Sequence, residues 1–189
     1  MNEQSKKLRA LLNCSIFAAI TAILAQFEIP LPLVPISGQT LAVGITATIL
    51  GSRQGTAAMV CYAAIGAIGI PVFSGFSGGI QVLAGPTGGY IFGFIAAAYI
   101  TGFILEKTSF TVPLAIAANT LGMIVILIFG AVQLKFVAGL GWGGALNAGV
   151  FPFIAVGLIK ASLASWIGIT IRNRLLQASL IPMPDKKPA

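Results

Sequence analysis

The sequence contains no histidine and only four acidic residues, and those acids stand at chain ends or turns. The absence of histidine excludes histidine metal ligands, histidine-based catalytic triads and histidine proton relays. The absence of carboxylates from the apolar runs excludes the usual intramembrane groups for relaying protons or binding sodium. The chain also lacks the Gly-x-x-x-x-Gly-Lys-Ser/Thr loop, so it cannot use ATP by that route.

Charge is scarce throughout the chain. Charged residues make up 8% of the sequence and apolar residues 57%, whereas soluble domains carry roughly a quarter charged residues. Together with several apolar runs near twenty residues, this composition indicates a polytopic membrane protein. The net charge of +7 lies at chain ends and short turns, which favours a topological signal over nucleic-acid binding. Cys14 and Cys61 lie in apolar runs and are typical of buried small side chains, not of a disulfide framework.

The apolar runs predict an all-α integral membrane protein with six transmembrane helices. We place them at residues 8–27, 38–50, 56–70, 87–105, 112–134 and 150–172. The second and third helices cover only about 20–23 Å of a core about 30 Å thick, so the adjoining loops must fold back into the protein. We expect one membrane domain over residues 1–175 and a disordered cytoplasmic tail over residues 176–189.

The positive residues predict the orientation of the helices. With the N-terminus inside the cell, nine of the eleven fall on the cytoplasmic side, as the positive-inside rule requires. Those nine are Lys6, Lys7, Arg9, Arg53, Lys107, Arg172, Arg174, Lys186 and Lys187. Both termini are then cytoplasmic, and the three long loops of low charge, residues 28–37, 71–86 and 136–149, lie on the outer side of the cell membrane.

Lys160 is the residue with the clearest chemical significance, because it lies inside the sixth helix. A lysine there costs about 2.5–3.5 kcal/mol on insertion scales. The nearby Gly157, Ala161 and Ala164 are small, which favours close helix packing and a side chain that points into the bundle. The sequence favours an anion-binding site open to the outer face; the alternative is a lysine that snorkels to the surface or caps backbone carbonyls.

A glycine-rich, uncharged segment covers residues 69–90 and predicts the lid and wall of a ligand site. Irregular backbone near a membrane is tolerated only where protein buries it or where it lines a cavity. Gly88 and Gly89 stand at the start of the fourth helix, where free N–H groups favour a polar ligand group; close helix packing explains them equally well. Tyr90 is either a ligand contact or an interfacial tyrosine.

Four further residues carry hypotheses with open alternatives. Gln39 and Gln81 suit a ligand with urea-like or amide groups, or they satisfy loop backbone. Trp142 is either a lid aromatic or an interface anchor. Asn119 is interpreted as a polar contact between helices.

The first helix carries a ridge of small residues. Ala18 and Ala22 are four residues apart and Ala25 follows close by, so the three predict a smooth surface. This surface favours either docking to a partner membrane helix or packing within the chain.

Five parts of the sequence, in order, resemble one family. Residues 34–41 (VPISGQTL), 69–73 (GIPVF), 85–90 (GPTGGY) and 151–153 (FPF), together with Lys160, resemble the BioY family, the biotin-binding S components of energy-coupling factor (ECF) transporters. The likeness spans nearly the whole chain, and the motifs are specific in combination.

The resemblance implies a six-helix S component that binds and takes up biotin and is not an enzyme. The implied biotin site lies near the outer face, with no cofactor and no metal. It also implies docking to a transmembrane coupling subunit and two ATP-binding-cassette ATPases, which would supply the energy. In that family the small-residue ridge of the first helix, here Ala18, Ala22 and Ala25, contacts the coupling subunit.

One position departs from the family pattern. Family members often have an aspartate three residues before the lysine of the sixth helix, and this chain has Gly157 there. Gln81 or a backbone group would then replace the aspartate in contacting the ligand. Two alternatives to biotin uptake stand beside the resemblance: an S component for another vitamin, such as thiamine or riboflavin, and a structural or enzymatic membrane subunit.

Overall fold

The computed structural model describes residues 3–178, 180 and 181. This part of the chain contains seven α-helices, a two-residue strand pair and one 3₁₀ turn. The helices are α1 (Glu3–Ala25), α2 (Gln39–Ala67), α3 (Ile80–Ala84), α4 (Gly88–Lys107), α5 (Val112–Val137), α6 (Trp142–Gly149) and α7 (Phe151–Gln177). The predicted disordered tail, with Lys186 and Lys187, lies mostly outside the described residues.

Gly51 divides α2 into two membrane helices. Its φ of 77° and ψ of −170° are not helical, and side chains with a Cβ rarely adopt that conformation. The break replaces the longer turn expected at residues 51–55 and leaves spans of residues 39–50 and 52–67. With α1, α4, α5 and α7 they make six spanning segments among the described residues, which confirms the predicted fold class. Four helical stretches, Lys7–Ala25, Gly88–Lys107, Val112–Val137 and Trp142–Gln177, are long and apolar enough to cross a membrane.

The helices run up and down between two faces. We call the face formed by residues 26–38, 68–87 and 138–150 the loop face, and the opposite face, with Gly51 and residues 108–111, the turn face. The helix α2 packs against α1, α4 and α7, and α5 packs against α4 and α7. Small residues bring α4 and α5 together: a Cβ at Gly93 would lie 2.9 Å from Ile126 Cα. Such close approach of backbones is typical of membrane helix interfaces.

The loop face contains more regular structure than the sequence indicates. A two-residue antiparallel hairpin, β1 (Glu28–Ile29) with β2 (Ile36–Ser37), folds back over the bundle. The predicted long loop over residues 136–149 is mostly helical instead, because α5 extends to Val137 and α6 covers Trp142–Gly149. The segment is rich in glycine and has no long apolar run, so the sequence did not indicate this short helix.

The glycine-rich segment packs onto the helices around it. Phe73 is buried, and its ring meets Tyr62 edge-on at 5.4 Å. Gln26 Nε2 donates a hydrogen bond to Phe73 O at 3.2 Å, and Gly79 N donates one to Gly66 O at 2.7 Å. These contacts fasten the segment to the residue that follows α1 and to the second half of α2.

Large apolar side chains cover the outside of the bundle. Leu11, Ile23, Ile128 and Trp166 are each more than half exposed, on three different helices. A soluble monomer rarely exposes so much contiguous apolar surface. In a bilayer, the same side chains contact lipid hydrocarbon, so the surface supports the membrane assignment.

Two charged residues secure the turn face around Gly51. The carboxylate of Glu106 on α4 accepts hydrogen bonds from Ser52 N and Ser52 Oγ, both at 2.7 Å, and so caps the second half of α2. Arg172 of α7 donates to Ile49 O at the end of the first half, and its guanidinium lies 3.6 Å from the centroid of the Phe110 ring. Contacts from α4 and α7 therefore hold the two halves of α2 in place at the break.

We expect Glu106→Ala to lower the free energy of unfolding by about 1 kcal/mol, the usual cost of losing a helix cap. The reason is that Ser52 N–H loses its acceptor at the start of a helix. Thermal unfolding in detergent would measure the change, with Lys107→Ala on the next, exposed residue as the control. Equal stabilities of the two variants would contradict the capping role.

Candidate functional site

A cavity of about 890 Å³, its open mouth included, extends from the loop face into the bundle. Its walls come from β2 with the residues just before it, the first half of α2, α4, α5 and α7. Most of the wall is apolar, as in small-molecule sites generally. Its polar side chains come from Ser37, Gln39, Thr40, Thr87, Tyr90, Thr101, Asn119 and Lys160.

Lys160 contributes the charged group of the cavity. Its side chain is partly buried, and Nζ donates a hydrogen bond to Ser37 O at 2.7 Å. An ammonium has three protons, so two remain for other acceptors. Gly157, Ala161 and Ala164 line the wall beside it, and their small size lets the cavity reach the helix. The structure thus places this cation inside the bundle, next to the hairpin of the loop face.

Gln39 lies in the cavity wall, but its amide already has partners within the chain. Gln39 Nε2 donates to Tyr62 Oη at 2.6 Å, and Gln39 Oε1 accepts from Ser37 Oγ at 2.8 Å. Tyr62 Oη in turn donates to Val72 O at 3.0 Å. This chain of hydrogen bonds joins the hairpin to the glycine-rich segment, so Gln39 organises the loop face near Lys160.

Tyr90 also lines the cavity, and its hydroxyl has a partner within the chain. Tyr90 Oη donates to Gly149 O at 2.7 Å and holds the end of α6 against α4. The ring centroid lies 6.1 Å from that of Phe153 on α7. Thr87 lines the cavity close by, so the glycine-rich segment reaches the cavity at its carboxyl end.

The structure places the other predicted ligand-contacting residues outside the cavity wall. Gln81 is exposed and donates to Gly78 O at 2.7 Å within its own turn. Trp142 is 55% exposed and lies beside Lys135, whose Nζ is 5.1 Å from the ring centroid. Gly88 and Gly89 are buried where α4 meets the backbone of α3 and α5. None of these four residues lines the cavity that contains Lys160. Their contact with a ligand stays a prediction.

The small-residue ridge of α1 faces inward in this structure. Ala18 and Ala25 are buried, and Ala22 is partly buried against the core. Ala18 and Ala25 therefore pack within the chain, which was one of the two interpretations of the ridge. The exposed face of α1 carries larger apolar side chains, Ile16 and Ile23 among them.

Met123 is a wall residue that the sequence did not indicate. A Cβ at Gly157 would overlap its sulfur and lie 3.1 Å from its Cγ, so the thioether occupies the space beside that glycine. A flexible side chain such as methionine fills irregular gaps well. The position where the family pattern has an aspartate is therefore an apolar part of the wall in this chain.

Asn119 brings an amide to the part of the wall toward the turn face, where Thr101 also lies. The sequence suggested a contact between helices, and the amide makes one: Nδ2 donates to Thr48 Oγ1 at 3.0 Å and to Ser165 Oγ at 2.9 Å. Asn119 also lines the cavity, which the sequence did not indicate. The helix α5 is apolar on all sides, so its pattern could not show which side faced a cavity.

The cavity as a whole offers one cation, apolar side chains such as Phe94, Ile126 and Leu127, and an amide toward the turn face. This set of groups can bind a largely apolar molecule that carries an acidic group and further polar groups.

Comparisons with known proteins agree on one family. The model of the BioY family matches residues 1–177. A protein of Lactococcus lactis subsp. cremoris (strain MG1363) named "Biotin transporter BioY2" is 38% identical over 172 residues, which cover 91% of this chain and 94% of that protein. The "Biotin transporter BioY" of Thermotoga maritima is 40% identical over 167 residues, which cover 88% and 97% of the two chains.

A solved structure extends the agreement to three dimensions. The crystal structure of the S-component for biotin from an ECF-type ABC transporter superposes with a TM-score of 0.83 at 28% sequence identity. The match covers 92% of this chain and 95% of that one. Sequence and fold thus lead to the same assignment over nearly the whole length, and the chain belongs to the BioY family.

Proposed function

We propose that this protein binds biotin with high affinity and acts as the substrate-specificity subunit of an ATP-driven ECF transporter in the cell membrane. The observation that carries the proposal is the single lysine in an otherwise uncharged cavity of a BioY-family fold. The names of the relatives, which are biotin transporters, support biotin as the ligand. The protein is a substrate-binding transport subunit and not an enzyme.

The chemistry of biotin matches the cavity. Biotin combines a carboxylate, an aliphatic chain, an apolar thioether ring and a ureido group. A partly buried ammonium suits an anion, because charge-assisted hydrogen bonds are stronger where water is excluded. Apolar walls suit the chain and the ring, and amide groups suit the ureido group.

The proposed partners are a transmembrane coupling subunit and two ATP-binding-cassette ATPases. The chain lacks the phosphate-binding loop described above, so a partner must supply the energy. The proposed orientation has both termini in the cytoplasm, which puts the loop face and the cavity mouth outside the cell, where the vitamin is captured.

Titration calorimetry of the purified protein in detergent tests the proposal. We expect saturable binding of biotin with one site per chain, and no comparable heat with thiamine or riboflavin. Tight binding of thiamine or riboflavin and none of biotin would assign the chain to another vitamin. Absence of binding by all three would overturn the S-component proposal.

A further inference from the structure

The helix α4 turns a row of aromatic side chains toward the membrane. Phe92, Tyr99 and Phe103 are each more than 40% exposed. The exposed Lys107 ends the row, and spacings of seven, four and four residues put all four side chains on one face of the helix. We call these four residues the aromatic stripe. The rings of Tyr99 and Phe103 are stacked with centroids 5.9 Å apart, and among the described residues this is the one ring pair that faces outward.

The ammonium of Lys107 lies over the stripe. Lys107 Nζ is 5.4 Å from the centroid of the Phe103 ring, which makes a cation–π contact. Among the described residues, none accepts a hydrogen bond from Nζ, so its three protons are available to an acceptor outside the chain. Phe103 and Tyr99 are four residues apart, or about 6 Å along the axis. The cation therefore stands about one helical turn from Tyr99.

The hydroxyl of Tyr99 has no hydrogen-bond partner within the described part of the chain. Tyr99 lies eight residues, or about 12 Å along the axis, from the end of α4 at Lys107, on a helix that crosses the membrane. A hydroxyl without a partner in an apolar environment costs free energy. An acceptor on the lipid removes this cost, and the ester carbonyls of a phospholipid lie just below its phosphate.

The turn face beside the stripe is positively charged. Three cations stand there against the carboxylate of Glu106: Arg53, Lys107 and Arg172. Glu106 accepts hydrogen bonds from Ser52 N and Ser52 Oγ, and these bonds bring Arg53 close to the end of α4. Each basic residue near a membrane surface contributes about 1 kcal/mol to the attraction of anionic lipid. The charge at this corner thus favours a negatively charged headgroup.

We propose that the aromatic stripe binds one anionic phospholipid of the leaflet at the turn face. Its phosphate contacts Lys107, an ester carbonyl accepts from Tyr99 Oη, and an acyl chain lies along Phe92 and Phe103. A purely apolar helix would leave the hydroxyl and the ammonium without acceptors. A second copy of the chain, related by a two-fold axis along the membrane normal, would bring two Lys107 ammonium groups together. The site lies outside the cavity, so it does not depend on the proposed function.

Native mass spectrometry of the purified protein tests the proposal, with dioleoyl phosphatidylglycerol or dioleoyl phosphatidylcholine titrated into the detergent. We expect the wild type to retain one phosphatidylglycerol and to prefer it to phosphatidylcholine. Lys107→Gln should weaken phosphatidylglycerol about fivefold and leave phosphatidylcholine unchanged, because it removes one cation. Tyr99→Phe should weaken both lipids about threefold, because both carry the ester carbonyls.

Arg174→Gln is the matched control, because it removes an exposed cation of the turn face from α7. We expect it to bind both lipids as the wild type does. Equal losses in Arg174→Gln and Lys107→Gln would mean a diffuse surface charge and would overturn the proposal. Equal binding of the two lipids by the wild type, or no retained lipid, would do the same. A dimer that dissociates in Tyr99→Phe, without any lipid adduct, would assign the stripe to a second copy of the chain instead.

Discussion

Lys160→Met is expected to weaken biotin binding by about 30-fold or more. Removing a charge-assisted hydrogen bond from a partly buried site costs about 2 kcal/mol or more, and each 1.4 kcal/mol is tenfold in affinity. Methionine keeps an unbranched side chain of similar length, so the cavity wall stays apolar and filled. Calorimetry in detergent gives the dissociation constants of the two proteins directly.

Stability measurements show whether the loss comes from binding or from folding. An ammonium at this depth costs free energy even when hydrogen-bonded to Ser37 O, so Lys160→Met should melt at no lower temperature than the wild type without biotin. The matched control is Lys135→Met, since Lys135 lies beside Phe136 and Trp142 outside the cavity wall. We expect its affinity to match that of the wild type. An unchanged affinity in Lys160→Met would remove the lysine from the binding site.

Gly102→Ala is expected to destabilise the fold by about 3 kcal/mol, at the upper end for overpacked sites. A Cβ at Gly102 would lie 2.6 Å from Ser52 Cα and still closer to other backbone atoms at the Gly51 break. Backbone cannot move aside as a flexible side chain can, so α4 must shift away from α2. The shift would also pull Glu106 from the helix start that it caps.

Thermal unfolding in detergent, followed by tryptophan fluorescence, measures this effect. The control is Gly143→Ala in α6, because no heavy atom outside its own helix and chain neighbours lies within 4 Å of a Cβ there. We expect a large fall in melting temperature for Gly102→Ala and almost none for Gly143→Ala. Similar melting temperatures would mean that α4 and α2 pack less tightly at the break than the structure shows.

Local features of the sequence were sufficient for the fold class and for the number of spans. Burial of apolar runs in lipid depends on their length and composition alone, so six helices could be predicted without any knowledge of packing. The break between the second and third helices was predicted over residues 51–55, and the structure places it at Gly51, which adopts a positive φ that glycine allows. The short helix α6 was missed, since eight residues with three glycines carry too weak a local signal.

Lys160 could be identified from the sequence because an ammonium inside an apolar helix is costly in any packing arrangement and therefore calls for a partner. Its contact with Ser37, more than a hundred residues away in the chain, was decided by tertiary structure. The same holds for Gln81 and Trp142, which sequence chemistry suggested for the site and the fold places elsewhere. Helices that are apolar on every side show no periodicity, so their sequence does not reveal which face lines a cavity.

Residue types and their order along the chain were enough for the membrane class, the number of spanning segments, the family resemblance and the lysine inside the sixth helix. Packing between the helices placed Met123 in the space beside Gly157 and joined Asn119 to Thr48 and Ser165. Both outcomes depend on which side chains meet across helices, and such contacts are set by packing between segments distant in sequence.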